Sequence, residues 1–253
     1  MTEFMTSAIN SVISSSIITG PLYQTMPFSL LLTLFAYFAG VWIFKKLRRP
    51  LYCPAVLLAA LCLTALLHTF SIAYPLYNQH VFLLTLIAGP ATVALALPLY
   101  QQLDQIKAMQ REIFISLPLA AMFASFYAVL LALCLGSSTE VIASLATKSV
   151  TAPIALGINQ QLGGTTSLMM TGVLVTGIIA IPITNLFTTL LKIKDDRIIG
   201  LVLGINGHVI GTVRAFEISA AAGAFASLGM ALTGIFTALF LSLAWQLFIA
   251  LAI

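Results

Sequence analysis

The stretch Thr147–Leu162, TKSVTAPIALGINQQL, places a lysine (Lys148), a helix-breaking proline (Pro153), a glycine (Gly157) and three hydroxyls inside a chain that otherwise avoids charge. A related stretch lies upstream at Gly89–Leu103, GPATVALALPLYQQL. Aligned, the two pair Thr92 with Thr151, Ala96 with Ala155 and Leu97 with Leu156, and then Gln101, Gln102 and Leu103 with Gln160, Gln161 and Leu162. Each carries its own breakers, Pro90 and Pro98 in the first, Pro153 and Gly157 in the second. Paired, interrupted apolar segments are a pointer to the substrate site of a secondary transporter. The expected fold is all-α: a polytopic membrane protein with internally repeated helices that are broken or re-entrant.

Composition sets the frame for those segments. Hydrophobic residues make up 60% of the chain and charged residues 7%, against roughly 25% charged in an ordinary soluble domain. Eighteen charges cannot cover the surface of a soluble protein of 253 residues. They gather instead at Lys45–Arg49, at Asp104–Glu112 and at Lys192–Arg197, which leaves Glu3 near the N-terminus and Glu140, Lys148, Arg214 and Glu217 among apolar runs. The net charge of +4 therefore reads as positive-inside loops and not as a nucleic-acid surface. Cys53, Cys62 and Cys134 lie in apolar runs without metal-ligand spacing, which suggests free thiols.

Taken in order, residues 1–26 form a Ser/Thr-rich arm and residues 27–253 a single transmembrane domain. A helix needs about 20 residues to cross a ~30 Å core, and on that basis six to eight spans are expected, with broken segments at 81–103 and 140–162. The positive-inside rule places Lys45–Arg49 and Asp104–Glu112 in the cytoplasm. If both broken segments cross, Lys192–Arg197 falls outside; the conflict disappears if one of them enters and returns on the same side. Such backbone is tolerated at membrane depth where protein encloses it.

Lys148 is the most informative single residue, because a lysine near the bilayer centre costs about 2.5–3.5 kcal/mol on insertion scales. One reading has its side chain snorkel to the headgroups. The other has it meet an anion beside Ser149 and Thr151, where a half-helix starting at Pro153 would present free N–H groups and a positive dipole end. Thr92 takes the matching place in the first copy, which has no cation. Further on, Gly200, Gly204, Gly207 and Gly211 recur along one helical face, the spacing of a close-packing stripe. Arg214 continues that stripe, and His208 and Thr212 share a neighbouring face. Arg214 could hold a carboxylate bidentately while His208 exchanges a proton; the alternative is an Arg214–Glu217 pair three residues apart. No nucleophile–base pair, phosphate-cradling loop or metal-ligand cluster is present in the sequence, so neither an enzyme nor a cofactor is expected.

GPATVALALPLYQQ, KSVTAPIAL and the pattern GxxxHxxGTxRA over Gly204–Ala215, followed by AFASLGM, resemble the LrgB/CidB family of bacterial membrane proteins. The resemblance runs from about Phe28 to the C-terminus. It implies a multi-pass protein of the bacterial cytoplasmic (inner) membrane. The family includes holin-like and antiholin-like modulators of murein hydrolase activity and autolysis, the plastid glycolate/glycerate transporter, and bacterial members linked to pyruvate uptake. The implied partners are a small carboxylate substrate, a small LrgA/CidA-type membrane protein, the lipid bilayer and further copies of the chain. The sequence departs from the family pattern in its longer N-terminal arm and at Ala220–Phe225, AAAGAF, where an acidic residue is more usual; that weakens any carboxylate proton carrier near Ala222.

Overall fold

The computed structural model describes residues 25–252, apart from the side chains of residues 85, 88, 89, 92 and 247–252. The expected arm over 1–26 therefore lies almost wholly outside the described residues, and so does the side chain of Thr92. The described residues form helices joined by short turns, with no strand among them. Their contacts divide the chain into two compact units, residues 1–94 and 95–253.

In the first unit, α1 (Met26–Lys46) begins with Pro27 in its first turn and ends at Lys45 and Lys46, followed by Arg48 and Arg49 at positive φ. α2 (Ala55–Thr69) packs on it where the Gly40 backbone meets the Ala59 backbone. α3 (Tyr74–His80) turns 116° away from α2. Hydrogen bonds between Thr33 and the Tyr77 hydroxyl (2.8 Å) and between Ser29 and the His80 Nδ1 (3.1 Å) tie it to α1. α4 (Phe82–Ala94) completes the unit.

The second unit starts with two short helices, α5 (Ala96–Gln101) and α6 (Leu103–Ala108). The long α7 (Gln110–Cys134) follows, then the short α8 (Thr139–Ala146) and α9 (Ala152–Leu162). Two further long helices, α10 (Thr166–Leu190) and α11 (Asp196–Ile218), lead into α12 (Ala220–Ala252). Ile113 and Leu117 at the start of α7 pack with Phe225 at the start of α12, and Ala132 near its end packs with Trp245. The two helices therefore run in the same direction. Among the described residues five helices are long and apolar enough to cross a membrane: α1, α7, α10, α11 and Ala220–Gln246 of α12; α2 and α3 make a sixth if the bent pair is counted as one. The protein is a multi-pass helical membrane protein, and these five helices fall below the expected six to eight spans, reaching six only with the bent pair.

The breakers do not act as the sequence reading expects. Pro90 lies inside α4 and Pro98 inside α5, and the irregular point between them is Leu95. Gly157 lies inside α9. A glycine costs a helix only about 1 kcal/mol, whereas opening the backbone in lipid leaves polar groups unsatisfied at several kcal/mol each. Pro153 does mark a boundary: it sits in the first turn of α9, where its missing N–H is no loss. The two aligned stretches thus do not share one local structure.

The non-helical residues Thr147–Thr151 separate α8 from α9. The chain then returns toward its start, because the Ser144 hydroxyl accepts from the Thr165 N–H at 2.7 Å across twenty-one residues. Gly163, at φ 76°, ends α9 in the left-handed conformation that glycine adopts without strain. α11 bends more sharply. His208 has φ 48° and ψ −129°, outside the helical range. Beyond it, a Cβ on Gly211 would run into the main-chain oxygen of Leu203. In an unbroken helix those residues stand ~12 Å apart along the axis, so the chain doubles back at His208.

The same contacts divide the glycine stripe. Gly200 lies against Ala222 and Gly204 against Ala226, so the first half of α11 runs alongside α12 in the same direction. Gly207 faces Gly177 and Ala180 on α10, and Gly211 serves the turn itself. At the mouth of α11, Asp195 caps the helix by accepting from the Arg197 N–H, and the Arg197 guanidinium, hydrogen-bonded to its carboxylate, holds that carboxyl below its usual range.

Candidate functional site

The two interruptions, Thr147–Thr151 and His208, meet. The Lys148 ammonium lies at the α8–α9 break, half-buried, and donates to the Tyr127 hydroxyl at 2.6 Å and to Ser149 at 3.0 Å. It also stands over the Tyr127 ring, 4.3 Å from its centre, within the range of a cation–π contact. No carboxylate among the described residues pairs with it. A half-buried ammonium held only by neutral groups still lacks a counter-charge, which is the condition under which an anion binds.

His208 is buried behind this group, at 3% exposure. Its ring lies within the reach of the Lys148 charge and faces the Lys148 carbonyl, but neither ring nitrogen completes a hydrogen bond among the described residues. The Thr212 hydroxyl donates to the His208 carbonyl at 2.7 Å, so it supports the turn and does not point to a ligand. Thr151 is buried at the N-cap of α9 but makes no side-chain cap. The first N–H groups of that helix are left without the usual partner.

Of these groups, Lys148 and Tyr127 border a cavity of about 530 Å³ between α7, α8, α10 and α11; Ser149, Thr151, His208 and Thr212 are not part of its lining. Its polar lining comes from Tyr127, Lys148, Thr176, Thr184 and Asn206, and α10 supplies most of the apolar wall. Asn206 donates to the Val202 carbonyl at 3.0 Å and is otherwise exposed. It stands ten residues into α11, ~15 Å along the helix from its start.

The structure does not bring every expected residue here. Arg214 pairs with Glu217 at 2.6 Å, the alternative that the sequence left open beside a substrate carboxylate, and it is absent from the cavity lining. A pairing partner one turn away offers the guanidinium its charge neutralisation more cheaply than a site it would have to reach. Tyr127, Thr176, Thr184 and Asn206 were not singled out from the sequence. Two of them carry a signal in hindsight: Tyr127 falls in the middle of an apolar span and not at its edge, and Asn206 is an amide inside one.

The LrgB-like family matches residues 33–247. An uncharacterized protein of Haemophilus influenzae is 34% identical over 82% of this chain and 90% of its own length. The holin-like protein CidB of Staphylococcus epidermidis is 30% identical over 87% of this chain and 95% of its own, and the CidB of Staphylococcus aureus is equally similar. No solved structure matches the chain. With a family match over most of its length and relatives of this similarity, the chain belongs to the LrgB-like family.

Proposed function

We propose that the protein is a secondary transporter of a small monocarboxylate, of the pyruvate, glycolate or glycerate class, coupled to protons and working in the bacterial cytoplasmic membrane. The observation that carries this reading is the Lys148 ammonium on a cavity between α7, α8, α10 and α11, held by Tyr127 and Ser149 with no acid beside it among the described residues. In this reading α8–α9 and the two halves of α11 are re-entrant pairs that enter from opposite faces and meet at Lys148 and His208. Lys148 and the uncapped start of α9 receive the carboxylate, with Ser149 and Thr151 beside it. His208, buried and unpaired, takes up and releases the coupled proton. The common direction of α7 and α12 supports the arrangement, because a doubled-back α11 places the start of α12 on the same face as that of α7. No bond is made or broken, and the protein acts as a carrier and not as an enzyme.

The test is flux. Purified protein in liposomes should take up labelled pyruvate or glycolate saturably, and Lys148→Met should reduce that uptake by at least ~100-fold, since removing the cation leaves a carboxylate buried without a partner. Saturable flux unaffected by the substitution would overturn the assignment of Lys148.

A second reading rests on the relatives named holin-like: the chain modulates murein hydrolase activity and autolysis through assembly with further copies and with a small LrgA/CidA-type partner. It makes Lys148 structural, and so predicts that Lys148→Met destabilises the protein without changing any carboxylate flux.

A further inference from the structure

The cavity beside Lys148 has a largely apolar wall along α10. Lys148 reaches α10 at Gly172, where a Cβ on that glycine would stand 3.2 Å from the Lys148 Cβ. From that level Val175, Ile179, Ile183 and Phe187 succeed one another at every fourth position along α10, and all four line the cavity. They form a strip ~18 Å long. Thr176 stands at the ammonium end. A two- or three-carbon acid seated at Lys148 reaches no further than the first turn of this strip and leaves most of the 530 Å³ unfilled. The four strip residues are 45–55% exposed, so the cavity is open along this side.

Deepening the transport reading, on which it rests, we propose that the site takes monocarboxylates with a short aliphatic tail: the carboxylate on Lys148, the tail along Val175, Ile179 and Ile183. The charge fixes one end of the ligand, because Lys148 is the only cation among the described residues lining the cavity. The α10 strip then selects the rest of the molecule, since it offers a tail apolar contact. Each methylene withdrawn from water onto such a surface strengthens binding by about fourfold. Three further carbons on a wall that is half open give about tenfold.

The experiment uses the full chain in liposomes and compares pyruvate with 4-methyl-2-oxopentanoate, which share a head group and differ in tail. The branched acid should have a KM about tenfold lower, or inhibit pyruvate uptake with a correspondingly lower constant if it is carried slowly. Ile179→Trp, which fills the strip, should bring the KM values of the two acids to within about twofold of each other; an advantage of the branched acid that survives it would overturn the placement of the tail. If pyruvate is carried and the branched acid binds no better, the tail proposal falls and the transport reading stands. If neither acid is carried or bound, both fall.

Discussion

At the scale of single residues the structure separates two cations that the sequence places in similar surroundings. Lys148 meets a phenol and a hydroxyl, while Arg214 meets a carboxylate one turn away. Arg214→Ala should therefore leave carboxylate uptake within about threefold of the parent, a half-exposed pair of this kind being worth ~1 kcal/mol or less. A loss as deep as that from Lys148→Met would place Arg214 back at the site. His208 differs from both in carrying backbone strain. At φ 48° and ψ −129° it occupies a region that favours glycine, and a side chain held there costs of order 1–3 kcal/mol. Replacing it should thus split two effects. His208→Gly keeps the turn and relieves the strain, so the protein should be at least as stable as the parent in thermal unfolding, while His208→Ala keeps the strain. Both should lose the pH dependence of uptake if the imidazole carries the proton. A proton-coupled profile that survives in His208→Gly would remove His208 from the mechanism.

At the scale of elements, the glycines of α11 are three different contacts and not one stripe. A Cβ at Gly204 would enter the Ala226 carbonyl, a backbone atom that cannot move without moving α12. At Gly207 the same Cβ would sit 3.4 Å from Ala180, an ordinary contact. Gly204→Ala should accordingly lower the midpoint of thermal unfolding in detergent by the equivalent of about 1–3 kcal/mol, and Gly207→Ala should change it by less than ~0.5 kcal/mol. Equal effects would mean that α11 packs as a continuous small-residue face. The α8–α9 pair is legible at this scale too. Lys148 and Pro153 mark its break in the sequence, since a proline in the first turn of a helix and a cation in an apolar run each demand a local reason. The His208 turn leaves no such mark. The glycines around it are also the residues of a straight packing helix, and nothing in side-chain type announces a positive φ at a histidine.

At the scale of the whole molecule, the proposed re-entrant pairs make a topological statement about residues 95–253. In a variant lacking Cys53, Cys62 and Cys134, single cysteines at Ser137 and Thr166 should react with a membrane-impermeant thiol reagent from one face, and cysteines at Lys194 and Ile218 from the other. If α11 crossed as one straight rod, Lys194 and Ile218 would label from opposite faces, and the paired half-helix arrangement would be lost. Amino-acid types alone determined that this chain lives in a bilayer, that it is helical, that its charges collect in loops and that Lys148 is out of place among them. Those conclusions rest on transfer free energies, which each residue carries with it whatever its neighbours. Only the tertiary structure decided that Pro90 and Gly157 stay within helices, that Arg214 is neutralised by Glu217, that α11 reverses at His208, and that Tyr127 and Asn206 share a cavity with Lys148. Each of these depends on which backbone comes close to which, and that distance is a property of packing between segments far apart in the chain.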